Sequence, residues 1–249
     1  MKSLKRLSLI CLVIKIQTIL LCCCRRGFAF YVSSHRSRFV VVPLLSLKPA
    51  AVPLLDSGKA LARAGEVLIE YTTSIEIYGG ALSSAGASLR NAGDCVAQAA
   101  ASCRFKTGIE LVSDELREAA TCIMEGTKLL SSAIGEATES KDETMAVILE
   151  ASIKPMKDAG FALEAAGSCI MQGRTSQQTA VGQHFVSCGS SLRLLSELIL
   201  ELPTADIKLE NKQGQKTIQL VKMCSQRMQF AAETMIEAGN NLSGSVKKV

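Results

Sequence analysis

The residues best equipped for chemistry lie after position 55: six cysteines, Cys95, Cys103, Cys122, Cys169, Cys188 and Cys224, one histidine, His184, and two acidic runs. Cysteines can ligate metal, cross-link or act as nucleophiles. A tetrahedral zinc site needs closely spaced Cys/His pairs such as Cys-x-x-Cys, and this part of the chain has none. An even cysteine count suits a disulfide framework, but a body this long can build its own core without staples. A di-iron bundle needs paired Glu-x-x-His units and bis-histidine haem ligation needs two rings, so one histidine excludes both. Ser131-Ser132 and Ser190-Ser191 have only His184 as a general base, and Gly79-Gly80 opens no Gly-Lys-Ser/Thr phosphate loop. The residues therefore predict no metal, no cofactor and no enzymatic site.

Charge narrows the partners. Residues 1–55 carry nine Lys and Arg and no acid before Asp56, which leaves 28 − 9 = 19 basic against 23 acidic residues in the remainder, a net of −4. A net-acidic body has no warrant for neutralising phosphates, so no nucleic-acid partner is expected. Glu110, Asp114, Glu115 and Glu118, like Glu136, Glu139, Asp142 and Glu143, are interleaved with Arg117, Lys128 and Lys141 on positions away from the apolar lines. They read as a solvated face.

The elements that would carry these side chains are helices. The body has no Trp and only six aromatic residues, with abundant Ala, Gly, Ser and Leu, a composition that disfavours sheet. From residue 57 every seventh position is aliphatic or small: Leu61, Leu68, Ile75, Leu82, Leu89, Val96 and Cys103. Four residues earlier run Ser57, Ala64, Tyr71, Tyr78, Ala85, Ala92 and Ala99, followed directly by Gly58, Gly65, Thr72, Gly79, Gly86, Gly93 and Ala100. On a helix these lines make a stripe about 100° wide, the core-facing width, and a seven-residue repeat this long predicts coiled-coil-like packing. Five glycines along one edge cost roughly 5 kcal/mol relative to alanine, so a neighbouring backbone must approach closely enough to compensate.

The same unit recurs in new phase: Ile109, Leu116, Ile123, Leu130; then Leu149, Met156, Leu163, Ile170; then Phe185, Leu192, Ile199; then Val221, Met228, Met235, Leu242. The packing positions expected along these edges are Gly79, Leu82, Gly86, Leu89, Gly93 and Val96, Gly160, Leu163, Gly167 and Ile170, Gly189 and Leu192, and Gly239 and Leu242. Cys103, Cys188 and Cys224 fall on the core lines and Cys95, Cys122 and Cys169 on a flanking line, so the cysteines read as small core residues, free in a reducing compartment. Turns are expected at 106–108, 140–143, 173–176 and the Leu202-Pro203 step, and Pro155 should kink its helix or mark the helix start. The uncharged run from Ile77 to Leu89 is expected to be the least solvated segment. The fold class is all-α: a bundle of four to five long antiparallel helices, six if the first breaks at Gly79-Gly80, spanning residues 56–249 as one domain.

Ahead of it, Lys2, Lys5 and Arg6 precede an apolar run from Leu7 to Cys24, the layout of a signal peptide over 1–26, with a membrane anchor as the alternative. Residues 27–55 are acid-free, contain Arg and Ser, are broken by Pro43, Pro49 and Pro53, and read as a disordered, transit-like leader. With the small residue before Phe28 in Gly27-Phe28-Ala29-Phe30, the arrangement resembles the bipartite plastid leaders of algae with secondary plastids, although Arg25-Arg26-Gly27 departs from their Ala-rich approach to the Phe. That resemblance implies a plastid destination; secretion, or anchoring in the secretory pathway, is the alternative.

Two functions fit this reading. One is a non-enzymatic structural or interaction bundle, a scaffold, assembly factor or oligomer subunit that binds a protein partner or itself. The other is an amphipathic helical protein that lies on a lipid or membrane surface, although interfacial helices usually flank their apolar face with Lys and Arg.

Overall fold

The computed structural model describes residues 45–75, 79–105, 108–202 and 212–246; the expectations for the leader up to residue 44, for Tyr78 and for Pro203 lie outside them. The described residues belong to one compact unit, Val42–Val249, and form six helices. These are α1 (Ala51–Ile75), α2 (Gly79–Ser102), α3 (Ile109–Glu139), α4 (Glu143–Met171), α5 (Gln178–Leu200) and α6 (Lys212–Val246), with 3-10 turns at Lys48–Ala50 and Thr175–Gln177. The fold is an all-α bundle.

Local chemistry sets several boundaries. Lys141 adopts a left-handed backbone, φ 59°, after α3, and the amides of Lys141 and Asp142 donate to Thr138 O (3.1 Å) and Ala137 O (3.0 Å). This closes the last turn in a Schellman arrangement, with lysine where glycine is usual. The Asp142 carboxylate then accepts from the Met145 amide at 2.9 Å and caps α4. Gly173, φ 64°, ends α4 in the same left-handed region, its amide donating to Ile170 O at 2.9 Å.

Each helix packs against its two sequence neighbours, and α6 packs back against α1, so the helices follow one another around a closed cycle. Paired positions run in opposite directions, as with Gly58 beside Ala97 and Gly65 beside Arg90, so neighbours are antiparallel. Polar groups on the inner lines are spent on closing the cycle. The Ser57 hydroxyl donates to Ala231 O at 2.8 Å, the Cys224 thiol donates to Ala64 O at 3.4 Å, and the Ser74 and Thr217 hydroxyls share a hydrogen bond of 3.1 Å. Between α5 and α6, Ser225 Oγ donates to Ser196 O at 2.6 Å and Gln178 Nε2 to Leu242 O at 3.3 Å. Buried hydroxyls therefore join helices while keeping their donors satisfied.

The cycle consists of three hairpins in the same register. In the first, a methyl group placed on Gly58 would lie 2.5 Å from Ala97 N and 2.7 Å from Gly93 O, and one on Gly65 would lie 2.5 Å from Gly86 O. In the third, Gly182 and Gly239 approach each other's carbonyls, and a methyl on Gly189 would lie 2.7 Å from Ala232 O. In the second, Ser113 stands at the position of Gly58 and Gly182, and its hydroxyl donates to Gly167 O at 2.9 Å. The middle hairpin thus replaces one close backbone contact with a side-chain hydrogen bond.

Four expectations are narrowed or corrected. The Leu45–Leu55 segment, assigned to the leader by composition, lies within the fold: Leu45, Leu47, Ala50, Ala51 and Leu54 are buried, and Pro53 is tolerated in the first turn of α1, where its missing N–H has no helical acceptor. One helix ends at Ile75 and the next begins at Gly79, which gives the six-helix alternative, and Gly80 has open space around it. Of the two outcomes expected for Pro155, the helix start falls away, since the residue is buried well inside α4. Finally, the uncharged run is buried on one side only, because Gly80 and Ser84 are exposed while Leu82, Ala85 and Leu89 are buried. Small hydroxyls, rather than charges, make its outer face.

Candidate functional site

The expected packing positions divide by chemistry. Leu82, Leu89, Val96, Leu163, Ile170, Leu192 and Leu242 are all buried in the core. Gly93 touches the backbone of Ala62 and Gly58, Gly86 lies against Gly65 O and Ile69, Gly189 against Ala232 O and Ile236, and Gly239 against Gly182 O and Val186. Gly167 faces Ser113 O and the Arg117 stem, whereas Gly160 meets only the side chains of Met124 and Ile123. Gly79 opens α2, and its surroundings lie outside the described residues.

Side chains from all six helices converge on one apolar cavity of about 50 Å³. Leu68, Leu82, Leu89, Leu130, Met156 and Met228 are among its walls, and its one polar lining group, Ser152, donates its hydroxyl to Ile148 O at 2.8 Å. Water in such a void needs two to four polar partners, and none is free here, so the cavity is dry and admits only a very small apolar guest. A shallow groove of about 480 Å³ lies outside, along α3 and α4. Asp114, Glu118, Glu125 and Glu164 alternate there with Arg117 and Lys128, a solvated polyampholyte face of the kind the sequence suggests for the first of the two acidic runs.

The thiols form two classes. Cys103, Cys188 and Cys224 are buried, and burial pushes each up to about 12. Cys95 on α2 and Cys122 on α3 are near enough to influence each other's titration. Burial, then Cys122 and the carboxylates of Glu115, Glu118 and Asp94, push Cys95 up to about 11. Burial and then Glu118 and Glu125 also raise Cys122, with neighbouring Cys95 pulling the other way. Among the described residues no group of three or more His, Cys, Asp or Glu could hold a metal ion, and His184 is half-buried on α5.

A pH effect follows. The buried thiols hold their protons up to about 12, while an unfolded chain releases them near the ordinary value of 9.0. The unfolded state therefore binds fewer protons above that value, so the thiol contribution is intact below pH 9 and is lost as pH rises toward 12. Urea midpoints measured from neutral pH upward should fall steadily beyond pH 9, and Cys188→Ala should reduce the slope. A midpoint that slopes equally in the native chain and the variant would contradict the burial of this thiol.

The placement of the phenylalanines follows the aliphatic lines of the sequence. Of the four phenylalanines in the described residues only Phe185, on an aliphatic line, is buried; Phe105, Phe161 and Phe230, which fall off every line, are 67 %, 49 % and 47 % exposed. In comparisons with protein-family models, with curated proteins and with solved structures, nothing matches this chain.

Proposed function

We propose that the protein is a non-enzymatic helical scaffold or assembly subunit that recognises a protein partner, a second copy included, through its phenylalanine-bearing outer faces. The observation that carries this reading is the inversion of aromatic placement: three of four described phenylalanines face outward while alanine, glycine and cysteine fill the interior. Aromatic rings supply much of the binding energy of protein interfaces, and leaving them in water gains a folded monomer nothing. Leu111, Leu194 and Leu200 are exposed as well and add apolar area to the outside of the bundle. The leader's composition supports delivery to a plastid, which a fluorescent fusion of the full chain would test.

The test compares native protein with Phe105→Ser/Phe161→Ser/Phe230→Ser. These side chains are 47–67 % exposed, so thermal stability should change little, roughly within 1 kcal/mol for the set. Light scattering should show loss of self-association, or affinity capture from the native cell should lose specific partners. Equal mass and equal partner sets for both proteins would end the interaction reading. Flotation of the leaderless chain with liposomes, lost in the triple variant, would move the proposal to a lipid surface.

A further inference from the structure

We propose, resting on the interaction reading above, that the partner is a second copy of this chain and that copies stack end to end, the cationic end of one bundle on the acidic end of the next. In the antiparallel cycle the entry turn at Lys48–Ala50, the 103–108 and 172–177 connections and the end of α6 lie at one end. The 139–143 connection, the end of α5 and the start of α6 lie at the other. Among the described residues, the connections and bordering helix turns of the first end carry Lys48, Arg104 and Arg174, all exposed, against one acid, Glu110. Those of the second carry Glu136, Glu139, Asp142, Glu143, Glu197 and Glu201 against Lys141 and Lys212. Val52, Phe105, Leu111 and Met171 are exposed at the first end and Leu200 at the second, so each end offers apolar area beside its charges.

Folding does not account for this segregation. Helix N-termini favour acids and helix C-termini favour bases. Yet Lys48 opens the 3-10 turn that leads into α1, and Arg174 is the N-cap of the one that leads into α5. Glu139 ends α3 and Glu201 is the C-cap of α5. All four oppose their helix termini, and none of them is ion-paired among the described residues. Between two copies the same placement becomes favourable: unlike ends attract, while two cationic or two acidic ends repel, which fixes the polarity of the contact. Because the two patches differ, each contact leaves one free end of either kind, and the assembly grows as an open chain. Six helix ends of about 10–12 Å diameter give roughly 500–700 Å². That is a little under the ~800 Å² per partner of a standard interface, so the chains form reversibly and shorten as salt screens the charges.

The test follows the full chain by sedimentation velocity over a concentration series at low and high salt. Native protein should show a ladder of oligomers at low salt that dissociates at high salt. Lys48→Glu/Arg174→Glu and Glu139→Lys/Glu201→Lys each remove one of the two complementary ends, and each should lower the association constant at least about tenfold. Both should melt at or above the native temperature, because every change now suits its helix terminus. Mixed in equal amounts, the two variants keep one native pair of ends between them and should form a dimer and stop there. All arms carry the same leader, so association through it is common to every one. A native chain that is monomeric at low salt, association that survives both variants, or a mixture that stays monomeric would overturn the end-to-end contact. If association survives both variants and is lost in the triple phenylalanine variant, the broader interaction reading stands and only the end-to-end contact falls.

Discussion

Gly93→Leu should leave the chain without a cooperative thermal transition. A methyl group at this position already collides with the backbone of Ala62 on α1, and it would lie 2.6 Å from Gly58 O and 2.7 Å from Ala62 Cα. Backbone atoms inside a helix cannot rotate away as a side chain can, so α1 and α2 must separate along their whole length. The reciprocal contacts at Gly58 and Gly65 open with them. Gly93→Ala alone should cost about 3 kcal/mol or more, at or above the upper end of ordinary overpacking, because no flexible atom can yield. Against a total stability of about 5–15 kcal/mol, leucine removes the margin. Gly135→Ala is the counterpart: it lies inside α3 with nothing near it, so the substitution should gain about 1 kcal/mol from helix propensity. Urea denaturation of both variants decides the matter. Equal shifts of the same sign would mean that close backbone approach does not hold the first hairpin together.

Truncation before Lys212, which removes α6, should be as damaging. Leu220, Val221, Cys224, Met228, Ala231, Ala232, Met235, Ala238 and Leu242 are buried, and α6 packs on both α5 and α1. Its loss strips one flank from each neighbour, including the acceptor of Ser57 and the contacts of Gly182 and Gly189. In an open stack, deleting the last repeat unit leaves the others folded. A closed cycle has no such spare end, so the truncated chain should aggregate or lack a sharp transition by calorimetry. A soluble five-helix fragment melting cooperatively near the native temperature would show that the closure contributes little.

Helix class and core lines were legible because glycine, alanine and leucine recur every seventh residue, and no sheet shares that period. The number of helices was left open because the first break carries no proline. One helix ends at Ile75 and the next begins at Gly79, so the glycine pair stands at the start of α2. The inner end of the leader was misassigned because proline and basic residues outweighed Leu47, Ala50 and Leu54, whose burial depends on partners far along the chain, such as the turn where Asn241 Nδ2 donates to Pro49 O at 3.4 Å. That Cys95 and Cys122 are neighbours could not be read either. Both residues lie on flanking lines, and only knowledge of which helices are neighbours, and in which register, brings them together.

That Asn241 contact also places the 3-10 turn leading into α1 beside the last turns of α6. With α6 sealed against α1, the described backbone resembles a bracelet whose clasp lies between two of its three links. The links share a register, so the clasp could sit at either of the other two gaps, near 103–108 or 172–177, with nearly every neighbour relationship preserved. Circularly permuted chains opened at those gaps are therefore alternative spellings of the same object.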